Sequence, residues 1–148
     1  MNEVISKAIF DAQAVHLANP RLLELRGWIV NSLDYPTVDI TFTAPARRPF
    51  RVRMIAKDWD TSPPAIELLS ASGEYLTTIT TPKGSGVINA GLHHNTQRPF
   101  ICTPGSLEYH THQNHVGDKW ENYQRKSAFD LGGILTQIYS AWRTTIDG

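Results

Sequence analysis

The sequence has a single cysteine, Cys102, among its 148 residues. That excludes an internal disulfide framework and leaves a thiol expected to stay reduced. It also has no net charge, since fourteen Lys and Arg balance fourteen Asp and Glu. Without a basic excess the general attraction to phosphate backbones is missing, so nucleic acid is not an expected partner. No apolar run approaches the roughly 18 residues a membrane helix needs. Met1 to Lys7 lack the basic-then-apolar order of a secretory leader. No membrane partner and a cytoplasmic location follow as expectations. A Walker loop, a Gly-X-Gly-X-X-Gly turn after a strand and a Gly-X-Ser-X-Gly elbow are absent as well, which leaves nucleotide binding and α/β-hydrolase chemistry without support.

What is present is enough for one globular domain over residues 1–148, with 41% hydrophobic and 19% charged residues. A chain of this length buries roughly 70% of its unfolded surface and needs no metal merely to fold. Ile5, Ala8, Ile9, Ala12 and Val15 recur at spacings of three and four, predicting a helix that Pro20 must end. Leu22 to Asn31 reads as a strand. Val38, Ile40 and Phe42 alternate with polar residues, and so do Phe50, Val52 and Met54, so these runs read as further strands of an antiparallel meander. After Pro63-Pro64, Ile66 to Leu69 and Tyr75 to Thr81 are expected to pair as a hairpin around Ser70 to Gly73. The glycine-bearing stretch Pro82 to Asn95 reads as loop. Leu131, Ile134, Leu135, Ile138 and Trp142 trace a closing helix, with Ser127 and Asp130 resembling a capping box; Gly132 and Gly133 near its start mark a turn either tight against something or simply frayed. The order predicts an α+β fold: N-terminal helix, meander of about four strands, irregular segment, C-terminal helix.

Chemistry concentrates in the irregular segment. Cys102, Glu108, His110, His112 and His115 fall within fourteen positions. If residues 108–112 are extended, alternate side chains lie about 6.6 Å apart on one face, so Glu108, His110 and His112 converge on one ion while Cys102 arrives across the Pro104-Gly105 turn. Thiolate, imidazole and carboxylate suit zinc, and two histidines with one carboxylate also suit iron. Five candidates compete for four places, and spacing does not choose among them; His115 breaks the alternation and reads as a neighbour of the site. The alternative is a polar histidine-bearing loop with Cys102 as a small buried apolar residue. His93 and His94, if extended, point to opposite faces and cannot act as one bidentate unit.

Cys102, Glu108, His110 and a following histidine resemble the signature of a bacterial family, the predicted metal-binding CEHH proteins, over Pro99 to Trp142. That family occurs beside prokaryotic ubiquitin-like modifiers, their activating enzymes and deubiquitinase-like peptidases. The resemblance implies a metal-binding accessory protein of such a system, with those proteins as partners. More of the chain resembles ubiquitin-conjugating (UBC) enzymes: a helix, a four-stranded meander, a proline pair, a His-Pro-Asn tripeptide and then a cysteine. Here Pro63-Pro64 and His93-His94-Asn95 stand in that order, His94 replaces the motif's proline, and Asn95 lies seven positions before Cys102. This second resemblance implies a UBC-like fold in which Cys102 forms a thioester with a ubiquitin-like modifier and Asn95 stabilises the oxyanion. A cupin-like metal enzyme is a third possibility, but there the acid follows the His-X-His pair, and terminal helices do not fit a jelly roll.

Two further groups have plain structural readings. Arg47, Arg48, Arg51 and Arg53 read as a solvated hairpin face rather than a phosphate site. Trp28 and Trp142 belong to apolar patterns and read as core, whereas Trp120, in a polar run, is open to a surface role.

Overall fold

In the computed structural model, which describes residues 2–79 and 86–145, the first helix, α1 (Glu3–Leu17), starts where Asn2 accepts the Val4 N–H at 2.8 Å. The helix forms as expected, but its buried face is Ser6, Phe10, Ala14 and Leu17. Ile5 and Val15 of the predicted stripe are 52% and 63% exposed. Two stripes with helical spacing compete on this helix, and the one carrying the Phe10 ring has more apolar area to bury. Pro20 does not merely end α1; it opens α2 (Pro20–Arg26), with the Asn19 side chain accepting the Arg21 N–H at 3.0 Å. The strand expected from Leu22 therefore begins only at Trp28. Gly27, at φ +67°, closes α2, and a side chain there would meet the Thr43 carbonyl oxygen at 2.4 Å.

Four strands follow: β1 (Trp28–Ser32), β2 (Thr37–Phe42), β3 (Phe50–Ile55) and β4 (Ala65–Leu69). They pair antiparallel in the order β1-β2-β3-β4. The inner face carries Val38, Ile40, Phe42, Val52, Met54, Ile66 and Leu68, all buried. On the outer face Arg51 donates to Asp39 at 2.8 Å and Arg53 to Glu67 at 2.7 Å. Asn31 bridges Asp39 and Thr41, so these arginines are committed to a polar lattice on the sheet. Beyond β4, Tyr75 makes one bridge to Leu69, and the expected arm from Tyr75 forms no strand over its described residues, 75–79. Residues 80–85, the end of that expected arm and part of the expected glycine loop, lie outside the described residues. The expected loop also contains β5 (Ile88–Asn89), which pairs antiparallel with β6 (Phe100–Ile101).

The chain then runs through a short helix, α3 (Leu107–Thr111), and two single turns of 3-10 helix at Trp120–Asn122 and Ser127–Phe129. It ends in α4 (Leu131–Thr145). Asp130, not Ser127, caps α4 by accepting the Gly133 N–H at 2.6 Å. A side chain on Gly133 would lie 2.5 Å from the Ala128 carbonyl, which explains the glycine in the first turn. The predicted stripe Leu131, Ile134, Leu135, Ile138 and Trp142 is buried throughout. Together with α1 it covers the inner face of the sheet around Trp28, Phe42, Tyr139 and Trp142. Trp59 and Trp120 pack at 5.9 Å between ring centroids, with their indole N–H groups donating to Gln13 and to the Asp60 carbonyl. Trp120 is thus a core residue. The architecture is α+β, and among the described residues no helix is long and apolar enough to cross a membrane.

Candidate functional site around Cys102

Strand register sets the site before any side chain does. Ile88 opposes Ile101 and Asn89 opposes Phe100, and the ladder extends one step further as the Cys102 N–H donates to the Val87 carbonyl at 2.7 Å. Residues 87, 89, 100 and 102 then share a face, which brings the Asn89 amide diagonally to the half-buried Cys102 thiol. Asn89 Oδ1 accepts the Gly91 N–H at 2.8 Å, so its NH₂ end is the one available to sulfur. Burial pushes the Cys102 thiol above its usual pKa, and the Asn89 hydrogen bond pulls in the opposite direction.

After Cys102 the chain turns sharply at Gly105, whose φ of +105° strains any side chain and whose close contact with Ile134 leaves little space for one. Ser106 caps α3 by accepting the Tyr109 N–H at 3.0 Å and donates to the Ile101 carbonyl at 2.6 Å. The Leu107 N–H reaches the Pro64 carbonyl at 2.9 Å and ties α3 to the head of β4. Residues 107–111 are therefore helical, not extended. Successive alternate residues in a helix are about 200° apart, so Glu108, His110 and His112 do not line one face.

Each side chain has its own employment. Glu108 is buried and accepts the Ile66 N–H at 3.0 Å; burial pushes its carboxyl up to about 7. His110 uses both ring nitrogens. Its Nε2 accepts the Gly105 N–H at 3.1 Å, which leaves Nδ1 protonated to donate to the Asp118 carbonyl at 2.8 Å. His112 sits at the C-terminal cap of α3 with its ring over Phe100 and accepts the Asn114 N–H at Nδ1. His115 turns toward the cysteine, with Nε2 3.7 Å from Cys102 Sγ. Its ring lies on Tyr109, centroids 4.3 Å apart and planes 15° from parallel. Of the five expected ligands, Cys102 and His115 come together, while Glu108 and His110 are held by other partners. Among the described residues no group of three or more His, Cys, Asp or Glu side chains is arranged to hold a metal ion.

The tripeptide His93-His94-Asn95 forms part of a turn closed by the Gln97 N–H on the His93 carbonyl. The His93 and His94 rings consequently stack at 4.5 Å instead of pointing to opposite faces. His93 is buried, accepts the Asn95 N–H at Nδ1 and donates from Nε2 to the Glu108 carbonyl at 2.9 Å. Burial lowers its pKa, and the accepting Nδ1 is the unprotonated nitrogen of the ring. The Asn95 backbone serves this turn, and the amide hydrogen-bonded to Cys102 belongs to Asn89. Asn89 carries no motif in the sequence; only its pairing register could have singled it out. Asp118 was equally silent, yet its Oδ2 accepts from the hydroxyls of Tyr109 at 2.6 Å and Tyr123 at 2.7 Å. These hydrogen bonds hold the Asp118 carboxyl below its usual range and push the Tyr109 hydroxyl up.

A half-buried thiol beside an imidazole nitrogen and an amide donor can do nucleophilic chemistry: base, nucleophile and a donor for developing negative charge lie within one small area. No family model and no curated protein matches this chain.

Proposed function

We propose that this chain is a UBC-like acyl carrier that receives a ubiquitin-like modifier on Cys102. The observation that carries this reading is the 3.7 Å approach of His115 Nε2 to Cys102 Sγ at the end of β6. His115 takes the thiol proton as sulfur attacks the carbonyl carbon of a modifier held as a thioester on an activating enzyme. The new C–S bond forms, the donor's C–S bond breaks, and the departing thiolate recovers a proton. Asn89 supplies a hydrogen bond at the sulfur. The helix, four-stranded meander and following cysteine segment support a UBC-like order, and a reduced thiol agrees with a cytoplasmic location. The test is incubation with a purified bacterial modifier and its activating enzyme, read as a reductant-sensitive adduct by intact-protein mass spectrometry. The adduct is expected on the wild type and absent from Cys102→Ala; no adduct with any modifier of this class counts against the reading.

A second reading, a zinc-binding (or iron-binding) accessory protein of the same kind of system, draws on the same pair with His112, whose ring centroid lies 5.6 Å from that of His115. Elemental analysis of untagged protein separates the two. About one metal per chain, lost in Cys102→Ala and His115→Ala, supports the metal reading. A metal-free protein whose thiol alkylates at the same rate with and without chelator supports the carrier.

A further inference from the structure

We propose that Asp118 and Tyr109 are positioning residues that hold the His115 imidazole against Cys102. The inference rests on the carrier reading for its biological meaning, but its geometry stands on its own. Residues 112–118 form two linked turns, since the His115 N–H donates to the His112 carbonyl at 2.8 Å and the Asp118 N–H to the His115 carbonyl at 2.9 Å. His115 sits at the joint. One end of this strap is seated where the His112 ring lies over Phe100. The other end is held at Asp118 by three groups: the Tyr109 and Tyr123 hydroxyls on its carboxylate, and the His110 Nδ1–H on its carbonyl.

Tyr109 makes the link between strap and ring. Its hydroxyl is anchored by Asp118, which holds the ring in place beside the strap, and the His115 ring lies nearly parallel upon it. The edge of His115 that bears Nε2 is thereby directed at Sγ. Without this stack the imidazole on an otherwise exposed turn would be free to swing about χ1 and χ2, and a displacement of about 1 Å is enough to cost a hundredfold in a positioned proton transfer. The carboxylate is used as an acceptor for two hydroxyls, and only its charge reaches His115 directly, through space. Its hold on the orientation of the ring runs through Tyr109.

The experiment is a double-mutant cycle on the rate at which iodoacetamide alkylates Cys102, with thermal midpoints confirming the fold of every variant. His115→Ala is expected to slow alkylation about tenfold, and Asp118→Ala and Tyr109→Leu to slow it by several-fold each. Tyr109→Phe, which keeps the ring but loses its anchor, should fall between wild type and Tyr109→Leu. In a His115→Ala background, Asp118→Ala and Tyr109→Leu should produce no further loss, because a residue that acts through His115 has nothing left to act on. Losses that multiply in that background, or an Asp118→Ala rate equal to wild type, overturn the inference. Alkylation needs no modifier. A chain that forms no adduct yet shows the non-additive pattern therefore retains this inference and loses the carrier reading, and an adduct with additive losses does the reverse.

Discussion

Glu108 concentrates in one carboxyl what distinguishes a ligand from a structural group. It accepts a buried backbone N–H, and desolvation, which outweighs the opposing pull of that hydrogen bond and of the Arg98 charge, raises its pKa from 4.5 to about 7. The folded state therefore binds a proton more tightly than the unfolded chain. The resulting stabilisation is fully present below pH 4.5 and is lost as pH rises through about 7, a change on the order of 3 kcal/mol. Glu108→Gln, which imitates the protonated acid, is expected to match wild type near pH 5 and to exceed it above pH 8, as measured by urea denaturation across that range. Equal pH dependence of the two proteins would contradict the assignment. His93 works in the opposite sense: its lowered pKa contributes stability at neutral pH that is lost on acidification. Comparing variant with wild type at each pH removes that shared background.

At the scale of elements, α1 offers a contrast between two apolar stripes on one helix. Phe10 is fully buried and packs edge-on against Tyr35 at 5.4 Å, whereas Ile5 is mostly in solvent. Phe10→Ala should cost about 3–5 kcal/mol through lost transfer energy and a residual cavity. Ile5→Ser should stay within about 0.5 kcal/mol. Denaturant titration of the two variants decides between the faces. The short helix α3 makes a related point. Ser106, which caps it, follows the Gly105 turn and also ties the segment to β6, so the local sequence favours one helical turn over an extended run. The spacing of the histidines suits a metal site only if residues 108–112 are extended, and this cap makes the segment helical instead.

For the molecule as a whole, the site is assembled from β5, β6, α3 and the turns that follow it, all anchored on one edge of the four-stranded sheet and under α4. The meander, the first and last helices and the buried faces of β2, β3 and α4 were legible in the sequence because their periodicities are local and strong. Cys102 and His115 were legible as chemically able residues, although their partnership was not. Zero net charge at pH 7 also has a molecular consequence, because colloidal repulsion is then weakest. Self-association, followed by static light scattering, is expected to peak near pH 7 and to decline at pH 5.5 and 8.5.

The sequence by itself determined an α+β order, a single thiol, the amphipathic core of β2, β3 and α4, and a segment dense in histidine. Each of these follows from composition or from repeats of two and of three to four residues, which need no knowledge of distant contacts. Only the tertiary structure decided what that segment does with its side chains. The β5–β6 register carries Asn89 to Cys102 across thirteen residues of sequence. Burial and backbone partners claim Glu108 and His110, and a pair of turns seated on Tyr109 and Asp118 delivers His115 to the sulfur. Residue type states which chemistry is possible; strand register, capping and burial determine which groups remain free to perform it.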